Sequence, residues 1–156
     1  MIEISADFDF NEFMESKATE ITGYCAAITG SADAQDAAQE AFIRLWHNLS
    51  KIDGCRKASG YLYRAAYSAC MDILRKRKKY YDVDTVGERK SNGGLSDKTQ
   101  RALMRLKAQD RAIVYLRIWQ ELDYEEIGNN FGHNAAWARK RYSLALKKLS
   151  KILNEQ

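Results

Sequence analysis

Asp123-Tyr-Glu-Glu-Ile-Gly-Asn-Asn-Phe-Gly132, followed by Trp137-Ala-Arg-Lys-Arg-Tyr142, reads as a short helix, a glycine turn and a second helix loaded with cations. Asp123 caps the first helix, and Glu126 lies three residues on, where its carboxylate accepts from the cap's own backbone N–H; this is a capping box. The helix so opened buries Tyr124, Ile127 and Phe131 and stops near Gly132, because glycine accepts the left-handed backbone that ends helices. Asn134 caps the next helix, where Ala135, Ala138, Tyr142, Ala145, Leu149 and Ile152 recur at helical spacing as a buried stripe. Trp137, Arg139, Lys140, Lys147, Lys148 and Lys151 fall on the opposite face. A cationic run taken alone is most often a solvated face. Behind a capped helix and a glycine turn it is also the layout of a DNA-reading helix-turn-helix, whose second helix donates to phosphates and offers its first turn to base edges.

The rest of the chain is consistent with an all-α protein. Its 156 residues contain no proline, and most apolar residues sit at helical spacing. No apolar run approaches the roughly 20 residues that cross a bilayer, and no signal peptide is evident, so a cytoplasmic protein without membrane insertion is expected. Cys25, Cys55 and Cys70 are odd in number and widely spaced, which argues against a disulfide framework or a CxxC metal site; Cys70 falls at a core position. His47 and His133, the only histidines, have no paired nucleophile or carboxylate in a recognisable motif, and there is no phosphate loop. An enzyme is therefore not expected, nor a cofactor or a small-molecule substrate. Residues 1–50 hold nine acids against two bases, a balance of −7, and the remaining 106 residues carry +11 of the net +4. An acidic front and a basic back suit two different partners, the second of them polyanionic.

Residues 80–98 lack periodicity and include Gly87, Gly93 and Gly94 among polar residues, the composition of a flexible linker. Two small helical modules are expected, over 1–80 and 99–156, moving independently about a linker at 81–98. In the front module Ala34, Ala37, Ala38, Ala41, Phe42, Leu45 and Trp46 follow the i, i+3, i+4 rule as a core face, with Asp33 or Ser31 starting the helix. Asp36, Gln39, Glu40 and Ile43 share an outward stripe. Ile43 inside it is either an ordinary exposed isoleucine or an anchor for a protein partner. A second long helix begins near Ser59 and buries Leu62, Ala65, Ala66, Ala69, Cys70, Ile73 and Leu74. At its start Arg56, Lys57, Tyr61, Tyr63, Arg64 and Tyr67 interleave cations with aromatics, a composition that stacks splayed bases while holding a backbone. It ends in five cations, Arg75 to Lys79, more than the helix dipole calls for.

Asp33-Ala-Gln-Asp-Ala-Ala-Gln-Glu-Ala-Phe-Ile-Arg-Leu-Trp46 and the stretch from Tyr61 to Arg75 resemble region 2 of the two-domain bacterial sigma factors of the extracytoplasmic-function group, and Leu106 to Leu153 resembles their region 4. The resemblance implies a factor that binds core RNA polymerase and directs it to promoter DNA, held inactive by an anti-sigma partner. Asp36, Gln39, Glu40 and Ile43, with Arg44 and Trp46, would dock on the polymerase. Arg56, Lys57, Ser59, Tyr61 and Arg64 would take the melted strand of the −10 element, and Trp137, Arg139, Lys140 and Arg141 would meet the −35 element. A sigma-like regulator that recruits no polymerase, or a helical interaction module, are the alternatives. The chain departs from the family where region 4 usually opens Leu-Pro, here Leu106-Lys107, and where His133 stands for an apolar core residue. Trp137 has two readings, stacking on DNA or packing against Asn130 and Phe131.

Overall fold

The computed structural model describes residues 9–52, 54–80 and 97–155, with the backbone alone at 54–56, 79 and 80. The front module has three helices: α1 (Phe10–Thr29), α2 (Ser31–His47) and α3 (Gly54–Tyr80), with a 3-10 turn at Leu49–Lys51. Asp9 caps α1 by accepting from the N–H groups of Asn11 and Glu12, and Gly30, at φ +90, turns the chain directly into α2. Small side chains set how closely these helices pack. Ala34, Ala37 and Ala41 of α2 and Ala58, Ala66 and Ala69 of α3 are all buried, so the helix axes approach with little between them. α3 starts earlier than Ser59 because Ala58, a turn before Leu62, continues its buried face. One expected core residue is displaced: Trp46 is 57% exposed and lies edge-on to Phe10 at 5.0 Å, at the rim of the module.

The rear module comprises α4 (Asp97–Met104), α5 (Ala108–Ile118), α6 (Tyr124–Asn130) and α7 (Ala135–Asn154). Residues 97 and 98 of the expected linker open α4; the rest of that linker, 81–96, lies outside the described residues. Both arms of the capping box form, Glu126 N–H donating to Asp123 Oδ1 at 2.8 Å and Asp123 N–H to Glu126 Oε1 at 3.2 Å. Gly132 takes φ +74, and Asn134 Oδ1 accepts from Trp137 N–H at 2.8 Å to start α7. Gly128 is a further requirement of the turn. A Cβ there would lie 2.6 Å from the carbonyl oxygens of His133 and Asn134, so α6 and the entry to α7 meet backbone to backbone. Lys107 adopts φ −65, the value a proline ring would impose.

The two modules pack against each other through α1. Residues 23–29 of α1 are buried without interruption, and a helix buried all round needs neighbours on every side. α2 and α3 cover one side; α4 and α5 cover the other. Tyr24 sits at the junction, its ring 5.2 Å from Tyr63 of α3 and 6.0 Å from Tyr115 of α5. Behind it Cys25 and Cys70 are buried free thiols, and the hydrogen bond between them, reinforced by burial, pushes the Cys25 pKa well up.

Candidate nucleic-acid and partner interfaces

On α2 the helical period that buries the alanines turns Asp36, Gln39, Glu40 and Ile43 to solvent, and Ile43 is 44% exposed. Arg44 is placed differently. It lies three residues after buried Ala41, and its guanidinium donates to Glu40 Oε2 on its own helix at 2.9 Å and reaches across to α3, to Ser68 Oγ at 3.2 Å and Asp72 Oδ2 at 3.3 Å. The bond to Glu40 is the main reason its pKa is raised. The outer stripe is thus acidic and apolar, with its one cation folded back as a strut. Trp46, exposed beside Phe10, extends the apolar part of that surface.

At the start of α3, Lys57 and Arg64 are exposed and Ser59 and Tyr61 half-buried. The Tyr61 hydroxyl accepts from Asn48 Nδ2 at 2.8 Å, which fixes the ring beside the 3-10 turn. Tyr63 belongs to the core instead: it is 3% exposed, and its hydroxyl donates to Glu20, with Gln120 Oε1 3.3 Å away. Tyr67 is half-buried, edge-on to Phe131 at 5.0 Å. The Arg56 side chain lies outside the described residues. Lys57, Ser59, Tyr61 and Arg64 line an open cleft of about 1100 Å³ whose facing wall includes Glu126 and Asn129 of α6.

α7 sorts its cations in the same way as α2. Arg139 and Lys140 are exposed in the second turn, with Lys147, Lys148 and Lys151 further along. Arg139 lies 5.3 Å above the Tyr124 ring, whose neighbour Arg117 stands 4.4 Å from the same ring. Arg141 is turned the other way: its Nη2 donates to Asp110 Oδ1 at 2.7 Å, and Asp110 is buried on α5. Trp137 packs. Its ring stacks on exposed His133 at 3.9 Å and lies 6.0 Å from Phe131, so the imidazole that replaces an apolar core residue covers the tryptophan from outside. Arg117, over the Tyr124 ring, and Asn129, in the lining of the cleft, adjoin these surfaces although the sequence did not single them out. Among the described residues no group of histidine, cysteine and carboxylate side chains is placed to hold a metal ion, and no helix is long and apolar enough to cross a membrane.

Residues 13–80 match the family model for sigma-70 region 2, and residues 102–151 match that for sigma-70 region 4. Over 140 residues the chain is 29% identical to the ECF RNA polymerase sigma factor SigW of Bacillus subtilis (strain 168), covering 76% of this chain and 75% of that protein. It is 28% identical over 128 residues to the ECF RNA polymerase sigma factor SigM of Mycobacterium tuberculosis, covering 79% of this chain and 65% of the relative. In fold it is similar to the sigma factor RpoE of Bartonella quintana, solved in complex with the anti-sigma factor NepR, with a TM-score of 0.80 at 17% identity over 94% of this chain and 97% of that one. The chain belongs to the sigma-70 family of RNA polymerase sigma factors, in the extracytoplasmic-function group, and carries that family's region 2 and region 4.

Proposed function

We propose that this chain binds core RNA polymerase through the outer face of α2 and directs it to promoters with two separate DNA surfaces. The observation that carries the reading is the sorting of charge by face within a chain matched by both region models. Asp36, Gln39, Glu40 and Ile43 form one exposed stripe, with Trp46 at its end. Carboxylates around an apolar anchor suit a partner surface that is itself cationic and apolar. Arg44 holds α2 against α3 beneath that stripe. Lys57, Ser59, Tyr61 and Arg64 take the melted strand of the −10 element, their cations holding phosphates and the half-buried tyrosine stacking a base. Arg139 and Lys140 carry the −35 contact, with Trp137 shaping the first turn from behind. An anti-sigma factor is the expected regulator.

Transcription reconstituted from core polymerase and this chain tests the reading. Defined start sites should appear with the chain and vanish with Asp36→Lys combined with Ile43→Asp, while the affinity of that variant for duplex DNA stays unchanged. Start sites unaffected by the double substitution would sink the assignment of α2. A chain that binds duplex but never selects a start site would belong to the class of DNA-binding regulators.

A further inference from the structure

We propose that His133 is a specificity-determining residue of the α7 surface: a preorganised hydrogen-bond donor that reads a guanine edge in the −35 element, ahead of Arg139 and Lys140. The inference rests on the role proposed above for α7 and adds to it a residue of the turn rather than of the helix.

Three contacts hold His133 in place, and none of them uses its ring nitrogens. Its backbone N–H donates to the Gly128 carbonyl at 2.9 Å, closing the turn against α6. Its own carbonyl oxygen lies where a Cβ on Gly128 would meet it at 2.6 Å, so the α6 backbone blocks movement on that side. The ring lies flat on Trp137, with centroids 3.9 Å apart and planes 9° from parallel. Trp137 is itself held, since its N–H donates to Asn134 Oδ1 at 2.8 Å and its indole lies 6.0 Å from Phe131. A ring stacked by its face keeps its edge free, and both imidazole nitrogens lie on that edge. His133 is exposed, and among the described residues neither ring nitrogen has a hydrogen-bond partner. Covering Trp137 asks only for a flat ring. The imidazole adds a donor and an acceptor that the cover leaves unused.

The position suits a base edge. Ala136 and Lys140 follow His133 by three and seven residues, and all three are exposed, so they follow one line along the start of α7. At about 1.5 Å per residue Lys140 stands roughly 10 Å further on, which is about three base steps of roughly 3.4 Å. Ala136, between them, carries only a methyl group, which lets the helix approach the groove floor closely enough for a short side chain to reach it. Arg139, Lys140, Lys147, Lys148 and Lys151 already offer exposed cations for phosphates; a fixed planar donor adds direction. Guanine presents two acceptors, N7 and O6, side by side in the major groove, and is the base edge that best meets such a donor. Because the ring is fixed beforehand, His133 loses less freedom on binding than the long side chains of Arg139 and Lys140.

Holoenzyme reconstituted from core polymerase and the full chain, allowed to select from a pool of random-sequence duplexes, tests this, since the enriched sequences report base preference position by position. His133→Phe keeps a flat ring on Trp137 and removes both nitrogens, and its unfolding midpoint should match that of the parent. Its binding to the parent's enriched duplex should fall about tenfold, with guanine preference lost at a single base pair and the other positions retained. Replacing that guanine by 7-deazaguanine, which lacks the N7 acceptor, should weaken the parent and leave His133→Phe unchanged. His133→Gln should move the preference at the same pair to adenine, the base that a carboxamide matches. Enriched sequences that are identical for His133→Phe and the parent overturn the proposal and leave the imidazole as a cover for Trp137. A loss shared by every sequence also overturns it, because it marks a phosphate contact. A parent holoenzyme that enriches no sequence overturns the reading of α7 itself, and this inference with it; the other two outcomes overturn the inference alone.

Discussion

α2 and α7 are built to one plan with opposite charge, and they differ in how deeply the carboxylate that meets the inward arginine is buried. Both helices pack an apolar stripe that includes alanines against the core, and both present charged residues outward. Arg44 of α2 pairs with Glu40 and Asp72, whose side chains are 48% and 41% exposed. Arg141 of α7 pairs with Asp110, whose side chain is 7% exposed. The same chemistry thus has different consequences, because water compensates a carboxylate on α2 that loses its partner and does not compensate one beneath α7. Burial, rather than charge, decides which cations of a run belong to the fold and which to the partner.

The largest effect should come from Arg141→Ala. It leaves the Asp110 carboxylate buried and unpaired, and a loss of about 3 kcal/mol in unfolding free energy is expected, read by denaturant titration. Any loss of DNA binding in this variant should follow the unfolded fraction. Arg139→Ala is the complementary case: unfolding should be unchanged, while duplex affinity falls about tenfold, equivalent to roughly 1.4 kcal/mol, with a shallower dependence on salt. Arg44→Ala should be the mildest, costing under about 1 kcal/mol because both carboxylates are left in water. Equal loss of stability in Arg44→Ala and Arg141→Ala would break the comparison, as would duplex binding that drops alike in Arg139→Ala and Arg141→Ala with neither variant unfolding.

The sequence revealed some of these roles and hid others, for physical reasons. The α6–α7 unit was readable because its signals are local: Asp123 with Glu126, Gly132 and Asn134 each act within a few residues of their own position. Arg141 carried a readable sign that its cationic neighbours obscured, since it lies three residues after Ala138 and four before Ala145, on the buried stripe itself. Arg44 likewise follows the buried stripe, three residues after Ala41 and seven after Ala37. Helix α1 went unread because its second half is apolar on every side, so no polar face marks a period. The interface that covers it depends on residues 74 and 83 positions apart, Ala26 with Gln100 and Ile28 with Arg111, and no spacing rule reaches that far. Trp46 was misplaced because it follows Leu45 at the edge of the buried arc, where one residue decides between core and rim.

The bare α-carbon of Gly128 against the carbonyls of His133 and Asn134 sets the angle of α7 without any side chain acting as a spacer. Aim and message are therefore carried by different parts of the chain. On the proposed reading of α7, exposed residues such as Ala136, Arg139 and Lys140 are open to exchange while the helix that bears them keeps its direction. On that reading a change of promoter asks for new side chains at these few surface positions and leaves the turn that points the helix untouched.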